Sequence, residues 1–296
     1  MINPRSKLAA EFFEHGKLKS CPIFNFHAHM HDCFGLFMPR KTPEGMIQAM
    51  QETNTLMSFF CGHEGMLVPQ VGVQPDIDAV RKYPDYFRSY HIVMARYLDV
   101  QADLARMRQH ADVFMGFKFH GDWFEVPITR DDLKPYWEYA NEHHMVVLAH
   151  TWGTSKYDGP DQVAQILSRY PNVVIAGAHG FHDAWERAPE VANAFPNYYF
   201  ELTAVLDNRG ALEMFLERAR NGSRQVLFGC DLPWFSLHHG IGAVLSAEMS
   251  DEDRRNIFYR NGVRLLKRYD WFAPIWHARG SGESIDDICR LAPAPK

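Results

Sequence analysis

The chain has 296 residues, 46% hydrophobic and 23% charged, with a net charge of −5. That length suits two small domains or one large α/β barrel, and the acidic balance argues against nucleic acid as a partner. Residues 1–10 lack an apolar signal-peptide core and no apolar run approaches ~18 residues, so neither a secretory signal nor a membrane span is expected. The five cysteines are odd in number and have no Cys-x-x-Cys spacing, which reads as reduced thiols in a cytoplasmic protein.

In chain order, eight apolar runs have strand character: residues 23–26, 55–60, 91–97, 113–119, 145–149, 173–176, 198–202 and 226–228. The first ends in His27-Ala28-His29. Alternation along a strand puts both imidazoles on one face, about 6–7 Å apart. Helical patterns lie between the runs. Thr42-Pro43 marks a cap with proline at the first helical position. Thr129 and Asp132 have the spacing of a capping box, before Leu133, Tyr136, Trp137 and Ala140 on one helix face. Another helix follows Gly159-Pro160, and the pattern continues over 208–220 and 250–260.

The strand starts recur roughly every 30 residues, the repeat of a β/α unit. Continuous apolar strands alternating with amphipathic helices predict a parallel sheet covered by helices. Eight of them predict a (β/α)8 TIM barrel. An open doubly wound sheet is the alternative, but it calls for a glycine-rich first turn, where this chain has histidines. No Pro/Gly/Ser-rich linker divides the chain, so one domain is expected over 1–296.

A barrel places its active site at the C-terminal strand ends. There the sequence puts His27 and His29 on the first strand, Lys118 and His120 on the fourth and His150 on the fifth. His179, Glu201 and Asp231 follow on the sixth, seventh and eighth. Imidazole and carboxylate together suit a divalent metal. Each group has a plainer use: His150 and Asp231 as caps of following helices, or His182 in place of His179. Trp123, Trp152, Tyr157 and Trp234 follow strands four, five and eight, either packing loops or forming a lid over a planar substrate.

These motifs resemble the amidohydrolase superfamily, in the amidohydrolase-related branch that includes aminocarboxymuconate-semialdehyde-type decarboxylases. The matching segments are His27-Ala28-His29, Gly116-Phe117-Lys118, Leu148-Ala149-His150, Gly177-Ala178-His179 and Phe228-Gly229-Cys230-Asp231-Leu232-Pro233. The resemblance covers about residues 21–267 and leaves a C-terminal extension over 269–296 without an assigned role. Asn25 stands where that branch often has aspartate. The resemblance implies that His27, His29, His150 and Asp231 bind one divalent metal, Zn²⁺ first, with Mn²⁺ or Fe²⁺ as alternatives. It implies His179 and Asp231 as the catalytic groups.

Lys118 has three readings: an anchor for a substrate anion, a carboxylated bridge to a second metal, or a structural partner. His120, Trp123, Trp152 and Glu201 join it as expected substrate-binding residues. The function expected is hydrolysis of a C–O or C–N bond in a small carboxylated molecule. Non-oxidative decarboxylation on the same scaffold is the alternative, followed by a ligand-binding barrel without turnover. A small-molecule substrate is the expected partner, with no nucleic acid and no membrane, and self-association into a homo-oligomer is left open.

Overall fold

The computed structural model describes residues 6–207 and 210–295. Eight strands, β1 Ile23–Met30, β2 Thr55–Gly62, β3 Phe87–Ile92, β4 Phe114–Phe119, β5 Val146–Trp152, β6 Val174–His182, β7 Tyr198–Glu201 and β8 Val226–Leu227, pair in sequence order. Every pairing between neighbours is parallel. The chain after β8 turns back to β1: Phe26 N donates to Phe228 O at 2.9 Å, Asp231 N to His27 O at 2.9 Å and His29 N to Leu232 O at 2.6 Å. The result is a nearly closed (β/α)8 TIM barrel with helices interleaved between strands, and the open-sheet alternative falls away.

The strands are apolar because helices cover their outer face while the barrel interior is packed. Phe24 and Phe26 of β1 lie outside, where a side chain at Gly262 would collide with both rings. Phe119 of β4 stacks on Trp137 at 4.0 Å, and Phe200 of β7 on Phe215 at 4.3 Å. Each Phe buried this way contributes about 1.5–3 kcal/mol.

Local signals are mostly met. Thr42 Oγ1 accepts from Gly45 N and opens helix Pro43–Thr53, and helix Pro160–Arg169 buries Val163, Ile166 and Leu167. Helix Ala211–Arg218 lies within the expected 208–220 span, of which Asn208 and Arg209 fall outside the described residues.

Two expectations are corrected. The Thr129 capping box does not form; a 3-10 turn at Asp131–Leu133 leads into helix Lys134–Glu142. The third strand runs over 87–92 and not 91–97. Its polar start hides it, because Arg88 and Ser89 break the apolar run. Arg88 Nη1 donates to the Pro84 and Phe87 carbonyls, and Ser89 Oγ donates to Asp76 at 3.0 Å.

The segment after the last barrel helix packs against the barrel. Tyr269 reaches the starts of β4 and β5, donating to Met115 O and accepting from Val146 N. Phe272 and Trp276 of helix Phe272–Arg279 lie against Phe24, with ring centroids 5.9 and 6.1 Å away.

Candidate active site

Asn25 of β1 sets the floor of the site. Its Oδ1 accepts from Cys230 N at 3.2 Å and its Nδ2 lies 3.4 Å from Ser58 Oγ, so one amide ties β1 to β2 and to the β8 end. One register step further, His27 and His29 turn into the barrel. His27 Nδ1 lies 3.1 Å from Glu201 Oε2, and His29 Nδ1 lies 3.0 Å from Cys61 O. Both Nδ1 atoms face acceptors and so carry the ring hydrogens, which leaves both Nε2 atoms as lone pairs.

These lone pairs converge on Asp231 Oδ1, at 3.4 Å from His27 and 3.1 Å from His29. That oxygen is buried and has no hydrogen-bond partner. Asp231 reaches the position through a left-handed backbone, φ 59°, held by its own N–H on His27 O and by Trp234 N–H on its carbonyl. A non-glycine residue there costs of order 1–3 kcal/mol, a strain characteristic of functional sites.

His27, His29 and Asp231 each offer one ligand atom, all within 4.8 Å of one another, a set that could hold a cation. The electrostatics favour positive charge at the same place: unless a cation takes its Nε2 lone pair, His29 holds a proton opposite Asp231. Burial pushes the His29 imidazole down, but the Cys61 and Asp231 side chains outweigh it and raise it to about 10. Burial likewise opposes ionisation of Asp231, yet His27 and His29 hold its carboxyl well below the usual range. The residues therefore fit a divalent ion.

His150 does not fall in this group. Its Nδ1 donates to Asp158 Oδ2 at 3.0 Å and its ring stacks on His120 at 3.8 Å, so His120, His150 and Asp158 form a second cluster. Burial, then Lys118, lowers His150 to about 3, and burial lifts Asp158 to about 6. His179 lies between the clusters, its ring 5.3 Å from His27 and 4.9 Å from His150. It too has a left-handed backbone, φ 67°, and its Nδ1 is buried without a partner. Burial, followed by the neighbouring imidazoles, keeps the ring neutral.

A cavity of about 300 Å³ opens above these groups. His120, Trp123 and Trp152 line it with the expected histidines, and so does Lys118. Lys118 is 1% exposed, with Nζ 3.3 Å from His27 Nε2, and it makes no ion pair among the described residues. His182 is not a wall residue; its ring packs between Trp152 and Trp185. Tyr157 is not one either.

Glu201, expected at the substrate, does not line the cavity. It is fully buried beneath the cavity, where Oε1 accepts from Thr203 N and Oγ1 and Oε2 faces His27 Nδ1 and His179 N. Gly229 makes room for it, since a Cβ there would stand 1.8 Å from Glu201 Oε1. Its task is to fix the His27 ring.

Three side chains were missed in the sequence. His63 follows β2, stacks on His29 at 4.8 Å and accepts from Trp234 Nε1 at 2.9 Å. The signal was present, because β2 also ends in a histidine. Asp158 and Asp122 come from loops after β5 and β4, where aspartate has no mark to separate it from a turn residue. Phe34 and Leu67 add walls from the first two loops.

A family model described as Amidohydrolase matches residues 74–268, more than half of the chain. No curated protein matches. Among solved structures, an uncharacterized TIM-barrel protein from Bordetella bronchiseptica is 18% identical, with a TM-score of 0.69, over 84% of this chain and 99% of that one. A 2,6-dihydroxybenzoate decarboxylase from Rhizobium is 13% identical, TM-score 0.64, over 83% and 98%. A 4-oxalomesaconate hydratase from Rhodopseudomonas palustris is 15% identical, TM-score 0.63, over 86% and 98%. At these identities the likeness is one of fold.

Proposed function

The chain belongs to the amidohydrolase family of metal-dependent enzymes, and from that premise we propose that it hydrolyses a C–O or C–N bond of a small carboxylated molecule. The observation that carries this reading is the convergence of His27 and His29 Nε2 on the unpartnered Asp231 oxygen, at the floor of the cavity. His27, His29 and Asp231 hold the ion, Zn²⁺ by preference, and His150 joins them through Nε2. Asp158 fixes the His150 ring from the far side, as carboxylates do behind ligating histidines. When bound, a divalent cation supplies Lewis-acid polarisation and makes water acidic enough to ionise near neutral pH.

His179 is the proton-transfer group. It is neutral and buried, and its Nδ1 has no protein partner, so it can accept a proton from water or return one to a leaving group. Lys118 anchors the substrate carboxylate. A lysine this buried, with no carboxylate of the protein beside it, is stabilised by an anion arriving with the substrate. Trp123 and Trp152 flank the reacting bond and limit the entry of bulk water.

Decarboxylation is the second reading. The observation favouring it is the 3.3 Å between Lys118 Nζ and His27 Nε2, which brings an anchored carboxylate up to the ligand set. The deciding experiment is a screen of lactones, amides and aromatic acids on protein never exposed to chelator, with CO₂ release and acid formation measured in parallel. Acid without CO₂ supports hydrolysis, and CO₂ alone replaces it with decarboxylation. A protein that holds no metal and turns over nothing would refute both.

A further inference from the structure

The barrel end opposite the mouth carries a second cavity, of about 530 Å³. It lies between the turn that enters β5, with His143 and His144, and the segment that leaves helix Asn261–Leu266. Its other walls are Arg264, Lys267, Arg268 and Tyr269. Three of these six residues are cations and none is an acid.

The wiring of the cations sets this cleft apart from an ordinary basic surface. Arg264 is buried, 7% exposed, yet all its partners are neutral: the Ala292, Pro293 and Arg224 carbonyls, the Tyr199 hydroxyl and Asn261 Oδ1. Its Nε is buried without any partner. Arg268 donates to the His144 carbonyl. Among the described residues, no ion pair is formed by Arg264, Lys267 or Arg268. Buried guanidinium groups are normally paired with carboxylates. Here the buried Arg264 shares one cleft with two exposed cations, Lys267 and Arg268, and no acid lines it.

We propose that this cleft binds a small polyanion, a molecule bearing a phosphate or two carboxylates, at a site separate from the catalytic mouth. Planar guanidinium and ammonium donors suit oxyanions of either kind, and the volume is in the range of small-molecule sites. Because Arg264 also holds the Ala292 and Pro293 carbonyls, the ligand joins the C-terminal segment to the turn before β5.

The test is calorimetric titration of the whole chain with inorganic phosphate and, separately, with succinate, at ionic strength held constant by NaCl. Saturable binding of one equivalent of either anion is expected, and the anion that binds tells phosphate from dicarboxylate chemistry. The exposed pair Lys267→Gln, Arg268→Gln weakens it about 10-fold. The His27→Ala, His29→Ala variant retains it, which separates this cleft from anion binding at the mouth. In the unaltered protein, phosphate or succinate also shifts the imidazole resonances of His143 and His144, a readout independent of any variant. Binding that disappears with His27 and His29 but survives loss of Lys267 and Arg268 overturns the proposal. So does the absence of saturable binding of both anions, or binding with no response from His143 and His144.

Discussion

The barrel mouth holds two clusters of the same composition, two histidines and an aspartate, wired in different ways. In the first, His27 and His29 direct their Nδ1 hydrogens outward to Glu201 and Cys61, and their free nitrogens meet an unpartnered oxygen of Asp231. In the second, His150 uses its Nδ1 on Asp158 itself, Asp158 also accepts from Asp122 N, and His120 Nδ1 accepts from Trp123 N. The first group turns both Nε2 atoms toward the Asp231 oxygen, whereas in the second His150 turns Nδ1 onto Asp158, whose other oxygen is also buried without a partner. Two clusters of one composition thus differ in the direction of their ring hydrogens.

The sharpest way to break this contrast is to remove the first cluster. His27→Ala with His29→Ala takes the metal from one equivalent per chain to near zero by elemental analysis. Unchanged metal would move the ion to the second cluster. Next in size, His179→Asn keeps the metal and lowers turnover by ~10²–10⁴. Loss of metal with activity would make His179 a ligand. Asp158→Asn lies between the clusters in consequence. It lowers metal affinity or activity by ~10–100-fold, the scale for a carboxylate behind a ligating histidine. A loss as complete as that of His27 and His29 would show a second cage.

A smaller effect is expected of Lys118→Met. It raises KM for acidic substrates by about 10-fold, with neutral analogues and metal content unaffected. Equal losses on both substrate types count against the anchor, and loss of metal would indicate a carboxylated bridge.

The smallest effect comes from a histidine outside the mouth. His91 donates from Nδ1 to Ile92 O at 3.0 Å and accepts from Arg106 at 3.0 Å. Burial, then Arg106, lowers it to about 3. Its folded value is below its unfolded one, so it does not affect stability above pH ~6.5. As pH falls below that, the unfolded chain takes up the proton first, and stability drops by up to ~1.4 kcal/mol per unit. Equilibrium unfolding at pH 7 and pH 5.5 should show a slope to which the other buried histidines add, and His91→Gln should lower it by up to ~1.4 kcal/mol per pH unit.

The contrast also marks what was legible in the sequence. His27, His29, His150, His179 and Asp231 end apolar strands, and in a parallel barrel every strand end faces one mouth. The division of these residues between two clusters was not legible, because it depends on Asp158, a loop residue with no periodicity. Glu201 was placed on the correct strand but at the wrong depth, because alternation gives the face of a side chain and not its height. The β3 start was hidden by Arg88 and Ser89, of which Arg88 bonds the carbonyls just before it and Ser89 bonds Asp76 in another segment.

The β8 to β1 junction gives the ligand arrangement a mechanical meaning. β8 is two residues long, and its hydrogen bonds to β7 are few. His27 and His29 stand on one side of this seam and Asp231 on the other, so an ion held among them staples the first strand to the last. It would close a loop of roughly 200 residues that the β1–β8 backbone hydrogen bonds also close, an entropy term that grows only slowly with length. An ion bound there would fasten the two ends of the barrel wall to each other, and chelation is then expected to loosen both together.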